Sequence, residues 1–536
     1  MMLDRSRANQ FLMALPFIVM ACQSGSPRQD KTVRDTLPST TADTSFIGAF
    51  SEPSTYKFDS TALDSFFAAH RDLSPYAKDV RQFYQTRNYA FAWHDSAGQI
   101  EQASNLYNRI RRLPEDGVNG GIPYSSQLDT LMMGAEKNPR NVELQVELLL
   151  TSMYFYFAEK AWTGLPESQT KKMSWFLPRK KVSYQDWLQT YLSSTDSAAR
   201  EKEPIYRQYF LLRDYLQKYT SIQQQEGWQP LFPDRKAYRS GDSGAVIKEI
   251  KRRLHVLGDL QAPDTTDKMD DPLISAVKKF QRRMGLSQDG VIGQSFTAAL
   301  NIPLQKRIDQ IIVNMERSRW LPDTVQGEYL AINIPEFKLH LFRDDSLLWD
   351  MNVVVGQALH KTVIFSGVLK NIVFSPYWNV PPGILKNEVL PGIKKDKNYL
   401  VRHHMEWYGN TVRQKPGPWN SLGGVKFLFP NSYNIYLHDT PAKNLFGESS
   451  RAFSHGCIRL AEPAKLAAWL LRNDPQWTME NISRAMHAGR EKWINVAYPF
   501  RVFIIYFTAW VDREGNINFR KDIYDRDGRL AKSLTR

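Results

Sequence analysis

The segment His438-Asp439-Thr440-Pro441, followed after Phe453 by Ser454-His455-Gly456-Cys457-Ile458-Arg459-Leu460, decides how this chain is read. His438 closes a stretch, Asn434 to His438, that reads as a strand. Ser454-His455-Gly456 reads as a tight turn that delivers Cys457. A free cysteine has a pKa of ~8.5 and is mostly thiol at neutral pH, so a nucleophilic role needs a base or a positive charge nearby. The segment offers His438, His455 and Arg459. Gly456 lets backbone approach closely, and the N–H of Cys457, with that of Gly456, could point at a developing oxyanion. In papain-like proteases the cysteine lies well upstream of the histidine. Here His438 precedes Cys457 in a strand-turn setting, which sets that class aside.

Strand patterning surrounds the segment. From residue 328 the period falls to two: Tyr329 to Ile334 and Lys338 to Phe342 flank Pro335, and Asp350 to Gly356 and Val425 to Phe429 follow. Val502 to Val511 is too short to cross a bilayer and rich in β-branched and aromatic residues, so it is expected to be one buried strand. These strands predict a β-rich catalytic domain over 328–490, with 491–536 as a C-terminal strand and tail completing it. Residues 384–420 read as an inserted loop or small helical cap, a lid by its length.

Upstream the pattern is helical. Residues 56–235 predict a helical scaffold; in Val142 to Ala161 the positions Leu144, Leu148, Thr151, Phe155 and Ala158 share one face. Trp93 and Trp162 are expected in its core. Residues 239–303 predict a three-helix unit. Ser240-Gly241-Asp242-Ser243-Gly244 opens its first helix, whose buried face is Val246, Ile250, Leu254 and Leu257. Phe280-Gln281 lies in the second helix, and Asp289-Gly290-Val291-Ile292-Gly293 precedes the third. The fold class expected is therefore multi-domain α+β.

At the N-terminus, Arg5 and Arg7 precede the apolar stretch Phe11 to Ala21, right for a signal peptide over 1–21. Gln23 to Ser54 is polar and rich in Ser, Thr, Asp, Pro and Gly, so 22–55 predicts a flexible linker. The chain has two cysteines, Cys22 and Cys457. Lys and Arg outnumber Asp and Glu by 70 to 56, a net +14 that suits an anionic partner. The charge is spread along the chain without a nucleic-acid motif, so nucleic acid is not expected. No His/Cys/Asp cluster has zinc spacing, and no metal or cofactor is expected.

Three of these motifs resemble known families. Val19-Met20-Ala21-Cys22 resembles a bacterial lipobox, which implies cleavage before Cys22, its lipidation and a periplasm-facing anchor in the cell envelope, with Gln23 suggesting the outer membrane. The unit at 239–303 resembles the peptidoglycan-binding helical module. His438, fifteen intervening residues, then Ser454-His455-Gly456-Cys457 resembles the signature of the L,D-transpeptidase family. The likeness extends to Ser375-Pro376-Tyr377-Trp378-Asn379-Val380-Pro381-Pro382-Gly383-Ile384 and to Thr508-Ala509-Trp510-Val511-Asp512, with the layout of the large multi-domain periplasmic branch. Lys361-Thr362-Val363-Ile364-Phe365 departs from the pattern of smaller members, and Arg459 stands where Asn is common.

The resemblance implies Cys457 as nucleophile, His438 as general base and acid, His455 and Ser454 as supporting residues, and Gly456 in the oxyanion turn. It leaves Arg459 either binding a stem carboxylate or shaping the turn. Trp407, Tyr408 and Trp419 could line the substrate groove. The reaction implied joins the third residues of two peptidoglycan stem peptides through a thioester. With water as acceptor the same thioester makes an L,D-carboxypeptidase, and with a protein amine it attaches a protein to the wall. A non-catalytic wall-binding lipoprotein is the remaining alternative, and any cell-wall synthase partner is left open.

Overall fold

The computed structural model describes residues 56–534 except 97, 119, 134–138, 194–202, 226 and 263–264. The signal segment, Cys22 and the linker expected over 22–55 lie outside the described residues. Among the described residues, no helix is long and apolar enough to cross a membrane.

The helical region is built on the helix Pro139–Ala158, which packs against Ala77–Thr86, Glu101–Arg111 and Ser125–Met132. Leu148, Thr151, Phe155 and Ala158 are buried on its inner face, as their spacing requires. Trp93 and Trp162 are core residues, and the Trp93 indole N–H donates to Thr151 Oγ1 at 2.8 Å. The α-helix stops at Ala158, short of the Ala161 expected, and widens into a π-turn over Glu159–Thr163 that Gly164 closes.

The three-helix unit comprises Ala245–Leu257, Asp271–Arg283 and Gln294–Leu300. Phe280 fills its core, and Gln281 explains the motif beside it. The Gln281 side-chain N–H donates to Asp289 Oδ1 (2.7 Å) and Val291 O (3.0 Å), while its oxygen accepts from Gly290 N–H (2.9 Å). One side chain thus fixes the turn that launches the last helix.

The helix Leu304–Arg319 follows and is buried along most of its length. Arg319 donates to Ala161 O (3.0 Å) and Asp116 O (2.8 Å), and Gln310 donates to Thr508 O (3.0 Å) and Arg520 O (2.9 Å). This helix ties the helical region to the sheet.

Among the described residues the main sheet has ten strands: β1 (Trp175–Phe176), β2 (Glu328–Asn333), β3 (Lys338–Arg343), β4 (Ser346–Gly356), β5 (Ile364–Phe374), β6 (Val425–Leu428), β7 (Leu437–His438), β8 (Ala452–Ser454), β9 (Ile458–Leu460) and β10 (Lys492–Ile505). Its order is β6-β7-β9-β4-β3-β2-β10-β5-β1, with β8 on β4, and β5 also pairs β6, so the sheet closes into a ring. Leu330, Ile332, Leu339, Val353, Ile372, Phe427, Leu437 and Ile458 build its core.

Three expectations are corrected. Val502 to Val511 is not one strand: β10 ends at Ile505, and Ala509–Val511 pairs instead with Ile517–Phe519. The Asn333 side chain takes Phe507 N–H (2.8 Å) and O (3.1 Å), and Asn314 Oδ1 accepts Thr508 N–H (3.0 Å), so the ladder is interrupted there. The C-terminal strand expected in 491–536 is β10, which lies between β2 and β5, and the part expected as tail carries the hairpin Ala509–Val511 with Ile517–Phe519 and a helix, Asp527–Leu534. Only Leu437–His438 of the stretch Asn434 to His438 is strand, since the Asn431 side chain binds Ile435 N–H and O and bends the approach. The insert is not purely helical: Trp378–Asn379, Met405–Tyr408 and Thr411–Gln414 form a three-stranded sheet beside its helical turns.

Candidate active site

The register of two short strands builds the site. β7 and β9 run parallel with Leu437 opposite Ile458 and His438 opposite Arg459. Ile458 N–H donates to Tyr436 O at 3.1 Å, which continues the pairing one step down and sets Tyr436 beside Cys457. Side chains alternate along a strand. Leu437 and Ile458 therefore point into the core, both fully buried, and Tyr436, His438, Cys457 and Arg459 share the other face.

His438 is buried and donates from Nδ1 to Asp439 O at 2.5 Å. A carbonyl only accepts, so the proton sits on Nδ1 and Nε2 is left as the basic nitrogen. Burial, helped by the Arg459 charge, pushes the imidazole pKa down to about 4. The ring is neutral at pH 7, as a general base must be.

Burial pushes the Cys457 thiol up, while Tyr436, through its N–H and its phenol, and the Arg459 charge pull it down. The thiol points to Asn434 O at 3.6 Å, and no hydrogen bond joins it to His438 among the described residues. The Tyr436 phenol is raised by burial and by the thiol beside it, and its ring centroid is 5.7 Å from that of His438.

The turn is held from both sides. Ser454 O–H donates to Cys457 O at 2.5 Å, and its Oγ accepts Gly456 N–H at 3.1 Å. That bond spends the Gly456 donor, so the Cys457 N–H is the donor left for an oxyanion. Thr362 O–H donates to Gly456 O at 2.9 Å, and Thr362 is fully buried. Gly456 sits at φ +116°, a conformation that side chains rarely adopt. Gly456→Ala should cost about 1–3 kcal/mol of stability and, by shifting the thiol, roughly 10²-fold in acylation rate; urea unfolding and intact-mass kinetics read both.

His455 projects outward rather than into this face. Its Nε2 meets Glu388 Oε1 of the insert at 3.3 Å, and its ring lies 5.0 Å from that of His360. Trp407 and Tyr408 lie on the insert hairpin and Trp419 at its base, where it stacks on His404 at 3.7 Å. All three are exposed. None makes a hydrogen bond or ring contact with Cys457 or His438.

Tyr436, Thr362 and Glu388 were not singled out from sequence. Tyr436 was within reach, because Tyr436-x-His438 and Cys457-x-Arg459 repeat with the period of a strand. Tyr436→Phe should raise the midpoint of Cys457 alkylation against pH by about one unit, since a hydrogen bond to a charged group is worth about 1.5 kcal/mol. An unmoved midpoint would count against the phenol's part.

A cysteine thiol, a tautomerically fixed neutral imidazole and a free backbone donor on one rim of a ring-closed sheet make a site suited to thiol-based acyl transfer. Three family models match parts of the chain. The family described as the L,D-transpeptidase catalytic domain matches residues 327–477, the Scaffold domain matches 78–216, and the "Putative peptidoglycan binding domain" matches 243–300. Residues 327–477 are thus similar to the L,D-transpeptidase catalytic domain, and residues 243–300 to a described peptidoglycan-binding domain.

A Haemophilus influenzae protein named "Putative L,D-transpeptidase" is 32% identical over 241 residues, 41% of this chain and 48% of that protein. A Bacillus subtilis carboxy-terminal processing protease, CtpA, is 31% identical over 83 residues, 16% of this chain and 17% of its own. The chain therefore spans about half the length of the first relative and less of the second. The crystal structure of an L,D-transpeptidase from Xylanimonas cellulosilytica is 15% identical, covering 51% of this chain and 100% of its own, with a TM-score of 0.18. One from Stackebrandtia nassauensis is 16% identical, covering 51% and 97%, with a TM-score of 0.22.

Proposed function

We propose that this protein is a lipid-anchored envelope L,D-transpeptidase that cross-links the third residues of peptidoglycan stems through a Cys457 thioester. The observation that carries the reading is the common face of Tyr436, His438, Cys457 and Arg459, with His438 fixed as a neutral base. His438 Nε2 takes the thiol proton as sulfur bonds to the carbonyl carbon between stem residues three and four. The C–N bond to the terminal D-alanine breaks, and its amine leaves with the proton from His438. The Cys457 N–H supports the oxyanion. An amine of a second stem then attacks the thioester and regenerates the thiol. Arg459 lowers both groups, but burial outweighs it at the thiol, so the pair rests as thiol and neutral imidazole before substrate arrives. Glu388 on His455 holds the insert over the turn, and Trp407, Tyr408 and Trp419 offer aromatic walls to the substrate. Cys22 carries the lipid, and the module at 239–303 holds the polymer near the site.

The test incubates the full chain with disaccharide-tetrapeptides and reads products and intact protein by mass spectrometry. An acyl adduct on Cys457 is expected, with a dimer weighing two tetrapeptides less one D-alanine. Tripeptide without dimer would make the protein an L,D-carboxypeptidase. A chain that stays unmodified and yields neither product would overturn the reading.

A further inference from the structure

Away from the Cys457 face, a cavity of about 870 Å³ opens where three parts of the chain meet. One wall is Arg282 to Gln288 of the three-helix unit, a second is the β3 rim at Lys338 and His340, and a third is the C-terminal hairpin around Trp510 and Arg520. Gly447 to Arg451 closes one side. None of Tyr436, His438, Cys457 or Arg459 lines it. Its volume falls within the range of sites for small ligands.

Two half-buried guanidiniums of this lining, Arg451 and Arg520, form no ion pair among the described residues, and neither do the exposed Arg207 and Arg513. Arg451 donates to the neutral acceptors Glu448 O (2.7 Å), Phe337 O (3.3 Å) and Asn352 Oδ1 (3.5 Å), and its buried Nε has no partner. Arg520 donates to Arg283 O and Phe519 O, each at 2.9 Å, and lies 4.8 Å from the Trp510 ring centroid. Burial depresses both guanidiniums, and the positive charge of Arg520 depresses Arg451 further.

No carboxylate of the lining pairs directly with Arg451 or Arg520, although Glu336 and Asp512 attract Arg520 through space. Glu336 Oε2 is held by His340 (3.0 Å) and Asn333 (3.3 Å), and Glu336 attracts both arginines without bonding to either. Asp350 pairs with Lys338 at 2.6 Å, and Asp345 accepts from the Tyr329 hydroxyl at 2.9 Å. Asp512 accepts from Asn516 N–H and from the Asn518 side chain, both at 2.9 Å. Glu448 is exposed.

Arg520 is held in place from the module side. A Cβ at Gly285 would come within 2.7 Å of Arg520 Cδ, and φ at Gly285 is +69°. The glycine leaves the channel through which Arg520 reaches the cavity. Two guanidinium forks beside an indole face suit a carboxylate on a bulky, partly apolar ligand.

We propose that this cavity is a second ligand site, distinct from the Cys457 face, that binds a carboxylate-bearing stem peptide of peptidoglycan through Arg451 and Arg520 against Trp510. The identity of the ligand rests on the peptidoglycan reading above; the oxyanion site itself rests on the two arginines. Arg451 directly precedes β8, and its carbonyl accepts Val355 N–H at 2.9 Å. A ligand here therefore grips the segment that leads into the Ser454–Cys457 turn.

The test measures binding of a disaccharide-tripeptide to the full chain by calorimetry, in a Cys457→Ala background that prevents turnover. Arg451→Gln and Arg520→Gln should each weaken one binding event at least tenfold, and amidating the ligand's carboxylates should do the same. Unchanged affinity in both variants would overturn the site. Inorganic phosphate displacing the muropeptide at equal concentration would overturn the stem peptide as occupant, in favour of a phosphate-bearing ligand. Because either variant could fold poorly, hydrogen exchange on the unmutated chain is measured alongside. Residues 447–451 and 518–521 should slow when the muropeptide is added, and no slowing there would also overturn the proposal. Loss of the Cys457 adduct with this cavity still binding would sink the transfer reading alone; the converse would sink the cavity alone.

Discussion

Cys457→Ala should leave a folded chain that forms no acyl adduct, its turnover lower by on the order of 10⁶, as when the nucleophile of an acyl-transfer unit is removed. The size follows from the surroundings of the thiol. Cys22 and Cys457 are the only cysteines, and the other group able to ionise to a nucleophile on this face, the Tyr436 phenol, is held protonated by burial. The neutral His438 would remain as a base with nothing to deprotonate. Comparing far-UV spectra and intact masses of both proteins after exposure to tetrapeptide separates lost chemistry from lost fold. An adduct of unchanged yield in the alanine variant would place the reaction elsewhere.

His438→Gln should lower acylation by about 10²–10⁴-fold, the contribution of a positioned base. Its signature is the pH profile. With the imidazole pKa near 4 instead of the ordinary 6.5, wild-type acylation should rise with pH through about 4 and then stay level into the neutral range. The variant should lose that limb. Stability carries the same signature with a definite sign. Between pH 6.5 and 4 the unfolded chain holds a proton on this histidine and the folded chain does not. Folding is therefore weakened as pH falls through that window, by up to about 3 kcal/mol for this one group. Urea midpoints at pH 7 and pH 4.5 should separate for the wild type and draw together in His438→Gln. A wild-type rate limb at 6.5 would mean that the imidazole is solvated in the working enzyme.

The sequence made the chemical pair legible because the spacing of His438 and Cys457 and the glycine before the cysteine constrain a turn whatever lies around it. The three-helix unit was legible because each of its helices has a continuous apolar face. What escaped depends on partners distant in sequence. Val502 to Val511 reads as one strand until Asn314 and Asn333 claim the backbone at Phe507 and Thr508. Thr362 looks like a departure from a pattern until its hydroxyl is seen under Gly456. β1 contributes two residues to the sheet from within the helical region, and Trp175–Phe176 has no strand period to announce it. His455 resembled a neighbour of the thiol in sequence, yet a turn separates side chains that adjacent numbering suggests are together.

The position of β10 bears on how the molecule can fail. This strand pairs in parallel with β2 and antiparallel with β5, so until Lys492–Ile505 is in place both neighbours present unpaired amides and carbonyls. Such edges recruit strands from other copies. β2 and β10 are also separated by most of the catalytic domain in sequence, a pairing that is slow to find. A chain shortened before Lys492 should therefore collect as aggregate even though Cys457 and His438 are both present. A strand that comes late in the chain works as the keystone of the barrel, because it joins two strands that precede it by more than a hundred residues.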